Sequence, residues 1–262
     1  MTTADAQTAA LQVRDLDIGI GSRTLVRGLS FAGRPGEFIC VLGTNGVGKT
    51  LTLHTLAGLR RAPGRIQLCG TALHELSRRQ IARRVGLLLQ LHDDAFPLTV
   101  LETALTGHYP RSAYWQWRDA GQRDAAREAL AAVDLAALQS RSITTLSGGE
   151  RERLALATLL VQDPAVWLLD EPANHLDPQH LLSAFELLRR QTERGRCIVA
   201  TVHNPVLAAR FADAVLLLHG DGRWEFGAAA KLLDATRLEQ LYRTPFNRYR
   251  SESGRDDVWL PL

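Results

Sequence analysis

The 262-residue chain is 45% hydrophobic and 23% charged, enough apolar material for a substantial core and too much for a disordered polymer. Its net charge of +3 comes without a basic block, so it leaves no footprint for nucleic acid. No apolar run approaches the ~18 residues that span a bilayer, and the opening MTTADAQTAA lacks the basic start and apolar core of a signal peptide.

In chain order, residues 1–10 are expected to be a disordered N-terminus. LQVRDLDI, LSFAG and RIQLCG predict an antiparallel β edge. Phe38 to Leu42 is a short apolar run of buried-strand type, followed by GTNGVGKT and a helix starting near Lys49. Gly43, Gly46 and Gly48 let the backbone turn tightly and point its N–H groups inward. Those groups and the helix dipole make an anion site. Lys49 adds a point charge for β- and γ-phosphates, and Thr50 places a hydroxyl where Mg²⁺ would sit. The chain has 31 basic residues, yet lysine occurs only at Lys49 and Lys231. A compact ammonium suits a phosphate cradle better than a planar guanidinium.

The segment 96–146 reads as an inserted helical subdomain. Thr99 and Glu102 have capping-box spacing, and DAGQRDAAREALAAVDL is alanine-rich and helical. Between them, GHYPRSAYWQWRD carries Tyr109, Tyr114, Trp115 and Trp117. Core packing accounts for part of this run; the rest forms an apolar surface for a partner helix. LSGGERERLALATLLVQDP is a helix started by Ser147 and Glu150 and stopped at Asp163-Pro164, with Leu154, Ala157 and Val161 on its apolar face. Ser147 could merely cap this helix. A cap needs no glycine pair, however, and Gly148 and Gly149 expose N–H groups as a second anion site. One nucleotide cannot easily occupy two distant helix ends of one monomer, whereas two antiparallel chains can share each site.

AVWLLDEP is a buried strand ending in Asp170 and Glu171. Strand alternation points the two acids in opposite directions, one toward Mg²⁺ and one toward an attacking water; a solvated strand end is the simpler alternative. RCIVATVHN is a further strand, ending at His203 where ligands gather in such sheets. Cys40, Cys69 and Cys197 lack metal-ligand spacing and read as buried free thiols.

GTNGVGKT, Gln90 at the end of VGLLLQ, LSGGE, VWLLDE, NHLD and His203 follow one another in an order that resembles the ATP-binding subunit of an ABC transporter, from about Leu11 to Tyr242. The resemblance implies an α/β fold, a RecA-like P-loop NTPase core with an antiparallel β edge and an inserted helical subdomain. Its parts would be 11–95, 96–146 with the Gln90 loop at its entry, 147–232, and a C-terminal tail over 233–262. It implies ATP and Mg²⁺ as cofactors. Gly43, Thr44, Asn45, Gly46, Val47, Gly48, Lys49 and Thr50 would hold the phosphates, facing Ser147, Gly148 and Gly149 of a second chain. Thr50, Gln90 and Asp170 would face Mg²⁺, and Gln90 would also sense the permease. Glu171 would polarise water, His203 would contact the γ-phosphate, and Asp177 would lie at the dimer seam. The implied partners are a second copy, an integral membrane permease and, indirectly, an external substrate-binding protein, with no nucleic acid. The implied place is the cytoplasmic face of the inner membrane.

Three positions depart from the family pattern: Glu150 stands for the usual glutamine, Asn204 for an aspartate, and Ile20 for the aromatic residue that stacks on adenine. Within the family, FPLTVLETALTGHYPR, LSGGERERLALATLL, DEPANHLD and the tail LLDATRLEQLYRTPFNRYR are most similar to importers of ferric siderophores, haem and vitamin B12. Another importer or an exporter is the alternative for transport. Soluble ribosome-associated ABC proteins usually carry two such domains in one chain. Coiled-coil DNA-repair ATPases need a long heptad region, and nucleotide kinases lack LSGG.

Overall fold

The computed structural model describes residues 9–89, 98–111, 120–172, 174–250 and 257–261. Among them run β1 (Leu11–Ile20), β2 (Arg23–Gly33), β3 (Phe38–Leu42), α1 (Lys49–Leu56), β4 (Arg65–Leu68), β5 (Thr71–Ala72), α2 (Arg78–Arg84) and β6 (Val85–Leu88). Then follow α3 (Val100–Leu105), α4 (Ala120–Ala131), α5 (Gly148–Gln162), β7 (Val166–Asp170), α6 (Pro178–Glu193), β8 (Cys197–Thr201), α7 (Pro205–Phe211) and β9 (Ala214–Leu218). The chain closes with β10 (Trp224–Ala228), α8 (Ala229–Leu232), α9 (Ala235–Tyr242), β11 (Phe246–Arg250) and β12 (Asp257–Pro261). No helix among the described residues is long and apolar enough to cross a membrane.

The central sheet has the order β10-β9-β3-β8-β7-β6, parallel except for β10. Its inner strands read as unbroken apolar runs because both faces are covered. Alternation divides their side chains. Phe38, Cys40, Leu42, Trp167, Leu169, Ile198 and Ala200 join one core, and Ile39, Val41, Val166, Leu168, Cys197 and Val199 join the other. The expected antiparallel edge is a separate sheet, β2-β1-β4-β5, packed with α1 on the second core. Helices α3, α4 and α5 pack on one another, and α5 also packs on β6, so the helical block is anchored to the sheet. The capping boxes at Thr99–Glu102 and Ser147–Glu150 both form, and α5 ends at Asp163 in a left-handed turn.

Two expectations need correction at the chain ends. Ala9 and Ala10, assigned to a disordered N-terminus, are buried, and the Ala10 N–H donates to Gly33 O at 2.9 Å. The C-terminal stretch is no mere tail past the core. Leu233, Leu238, Leu241, Phe246 and Trp259 enter the larger core, and β11 pairs with β12 as a hairpin. Cys40 and Cys197 are buried free thiols, both pushed up by burial, but Cys69 is exposed.

Candidate functional site

Strand β3 is fully buried and delivers the chain into the glycine loop at its C-terminal end. At Gly43, φ is 155°, and an added Cβ would lie 2.5 Å from Leu218 O and 2.9 Å from Val47 Cγ2, so no other residue fits. Gly48 caps α1 in a left-handed conformation at φ 107°. Lys49 is buried, and its ammonium donates to Gly43 O at 2.9 Å and Thr44 O at 3.3 Å, which folds the side chain back under the loop. Burial holds this ammonium below the ordinary lysine range; the nearby Glu171 and Asp170 carboxylates oppose that shift. Thr44 is half-buried, while Asn45, Gly46 and Thr50 are exposed along the loop and Val47 is buried beneath it.

The acids stand two strands away. Asp170 closes β7, is 2% exposed, and accepts the Thr201 hydroxyl at 2.8 Å; the same Thr201 oxygen accepts the Glu171 N–H at 2.8 Å. Glu171 has φ 52°. Its direction is therefore set by a left-handed backbone just past the strand, not by the alternation expected from the sequence. One Glu171 oxygen meets Nε2 of His203, and the other accepts the amide of Asn174. Thus Lys49, Asp170, Glu171 and His203 gather at the C-terminal ends of three neighbouring parallel strands, β3, β8 and β7. Ligands bind there in open α/β sheets.

The Ser147 hydroxyl oxygen accepts the Glu150 N–H at 3.2 Å, and the Glu150 carboxylate accepts the Ser147 N–H at 2.7 Å. That N–H holds the Glu150 carboxyl below its usual range. Ser147 and Gly148 are exposed, with Gly149 half-buried. Asp177 caps α6 by accepting the His180 N–H at 2.9 Å, and Asn204 caps α7 by accepting the Val206 N–H at 2.9 Å. The Asn204 departure thus keeps a capping role.

Ile20 is 59% exposed at the tip of the β1–β2 hairpin, paired with Arg23. Arg23 donates to Gly220 O at 3.5 Å, and Gly220 packs on Val47, so the hairpin flanks the glycine loop. Tyr109 is exposed, and Pro110 O accepts both Arg79 Nε at 3.2 Å and Arg83 Nε at 2.7 Å, tying GHYPR to α2. Gln90, Tyr114, Trp115 and Trp117 lie outside the described residues.

Residue-by-residue reading missed Thr201, Asn174 and Tyr242. Thr201 had a signal, a polar residue ending the apolar run CIVAT. Tyr242 had none: its hydroxyl reaches His203 O at 3.4 Å from a helix far along the chain. Of the residues expected to face a divalent cation, Thr50 and Asp170 are among those described, and their chemistry suits it. The exposed Thr50 hydroxyl and the enclosed Asp170 carboxylate are hard oxygen donors of the kind Mg²⁺ prefers.

The family profile described as ABC transporter matches residues 26–174. The ferric enterobactin transport ATP-binding protein FepC of Escherichia coli (strain K12) is 32% identical over 237 residues, 89% of this chain and 87% of that relative. The hemin import ATP-binding protein HmuV of Rhodopseudomonas palustris (strain BisB5) is 32% identical over 259 residues, 94% of this chain and 95% of its own. A solved chain described as an inward-facing metal-chelate type ABC transporter superposes with a TM-score of 0.84 at 25% identity, covering 97% of this chain and 98% of that one. With the glycine loop, the paired acids and the capped glycine helix described, the chain belongs to the ABC transporter family as an ATP-binding subunit, an ATPase coupled to transport.

Proposed function

We propose that this chain is the Mg²⁺-dependent ATPase of an importer for a ferric siderophore or haem, with vitamin B12 as the neighbouring cargo class. It works as a homodimer with two shared ATP sites on the cytoplasmic face of the inner membrane, beneath an integral permease fed by an external binding protein. One observation carries the catalytic part: Lys49, Asp170, Glu171 and His203 meet at adjacent strand ends. The cargo part rests on likeness to FepC and HmuV, whose names state ferric enterobactin and hemin.

The phosphates of ATP would take the N–H groups of the Gly43–Thr50 loop and the start of α1, and Lys49 would exchange its carbonyl partners for β- and γ-oxygens. Thr50, Asp170 and Gln90 would hold Mg²⁺, which supplies charge neutralisation when bound. Glu171 orients the attacking water and accepts its proton at a carboxylate oxygen. His203, whose Nε2 meets Glu171 Oε1, would contact the γ-phosphate from there, and Asn174 steadies the second Glu171 oxygen. Ser147, Gly148 and Gly149 offer their helix start to the phosphates held by the partner chain, with Asp177 at the seam. Closure on ATP and reopening after hydrolysis drive the permease.

The test is extraction in mild detergent, identification of the integral membrane protein that travels with the chain, and measurement of ATP hydrolysis with each loaded binding protein. Stimulation by a ferric chelate, haem or vitamin B12 is expected. Normal uptake of all three by cells lacking the chain, with loss of an export activity, overturns the importer reading.

A further inference from the structure

The glycine helix and the acid loop are joined by a contact with no role in the steps above. Glu152, in the second turn of α5, is 5% exposed. Its two oxygens each accept the backbone N–H of His175 at 3.3 Å, and Oε1 meets His175 Nδ1 at 2.5 Å. A carboxylate enclosed in this way is costly unless hydrogen bonds answer it. His175 supplies them, with Nδ1 as the donor because an ionised carboxylate only accepts. The His175 side chain itself is 59% exposed, so burial does not hold it in place; the Glu152 contact does.

Two further observations converge on the same residue. A Cβ added to Gly148 would touch the His175 side chain at 3.7 Å, and one added to Gly149 would meet His175 O at 3.1 Å. The loop bearing His175 therefore lies directly against the glycine pair. One residue earlier, Asn174 donates to Glu171.

The geometry points to Glu152 and His175 as a positioning pair that fixes the 174–177 loop against Ser147–Gly149 and, through Asn174, holds the Glu171 carboxylate at its working angle. The inference rests on Glu171 as the water-orienting group, and it assigns the chain a buried acid whose effect falls on turnover, not on ATP capture.

Full-length His175→Ala, Glu152→Ala, Glu152→Gln and the double alanine variant are compared for ATP affinity and for kcat and KM of Mg-ATP hydrolysis, with Glu171→Gln in the same assay. Both single alanine variants should lose about tenfold in kcat, the rate equivalent of one charged hydrogen bond, while KM stays within about twofold. The double variant should be no worse than either single, and Glu152→Gln, which keeps an acceptor for His175, should recover most of kcat. His175→Ala removes a mostly exposed side chain and decides the matter if Glu152→Ala fails to fold. Unchanged kcat in His175→Ala, or additive losses in the double variant, overturns the pair while Glu171→Gln remains inactive. Hydrolysis by Glu171→Gln overturns the water-orienting assignment and this inference together.

Discussion

His203 and Glu171 share a contact across the ends of neighbouring strands, Nε2 against Oε1, while Asn174 takes the other Glu171 oxygen. Both carboxylate oxygens are thus engaged, and the side chain is oriented from two sides. Glu171→Gln should keep ATP binding and lose hydrolysis by 10²-fold or more, the usual scale for a positioned base. The variant should also accumulate as an ATP-bound dimer on size exclusion. Ordinary turnover in this variant assigns the water to another residue.

Ser147 and Lys49 begin two different helices. If each ATP touches both through two chains, Ser147→Arg and Lys49→Ala subunits mixed together form a dimer with one doubly damaged site and one intact site. Radiolabelled ATP binding should recover in part on mixing. Ordinary ATP binding and hydrolysis by each variant alone would separate Ser147 from the site.

Gly43→Ala places a methyl group 2.5 Å from Leu218 O at a φ of 155°. Loss of about 2 kcal/mol or more of stability is expected from strain at such a position. ATP affinity should fall with it, because β9 and the phosphate loop must part to make room. Thermal unfolding with and without ATP measures both.

The backbone N–H of Thr99, with its hydroxyl, holds the Glu102 carboxyl below its usual range. A depressed folded pKa stabilises above the unfolded value and loses that contribution as pH falls through the folded one. Glu102→Ala should therefore cost roughly 0.5–1 kcal/mol at neutral pH, modest because the pair is exposed. The difference from the parent chain should shrink below about pH 4. Denaturant titrations across that range test the sign; a cost that grows in acid contradicts it.

Ile20 has no π-face to offer adenine. Poor discrimination between ATP and GTP is expected, with Ile20→Tyr raising ATP affinity about three- to tenfold. Competition binding decides it, and strong ATP preference in the parent chain would locate the base platform elsewhere.

Much of the fold was legible because its signals are local. Buried parallel strands write themselves as FICVL, VWLLD and CIVAT, and the capping boxes need only a hydroxyl and an acid three residues apart. The glycine turns of the Gly43–Gly48 loop were legible for the same reason, since they are demanded by backbone conformation. Contacts closed by the fold were not. Thr201 bridges to Asp170 and Glu171 from the next strand, and the left-handed turn at Glu171 cannot be read from an acidic dipeptide. The C-terminal hairpin was hidden because Phe246 pairs with Pro261 and Arg248 with Trp259, partners separated by a polar stretch of sequence that reads, residue by residue, like solvent-facing chain.

The position of β3 has a consequence for how the chain is made. This strand carries the phosphate loop and lies between β8 and β9, neither of which is synthesised until residues 197–201 and 214–218 emerge. Until then both of its hydrogen-bonding edges are bare, the high contact-order situation that slows folding and invites aggregation. A nascent chain stalled before residue 197 should expose this strand to chaperones and fail to retain ATP, although every residue of the phosphate loop is already present. Nucleotide capture is then expected only after β8 and β9 have emerged, late in the synthesis of the chain.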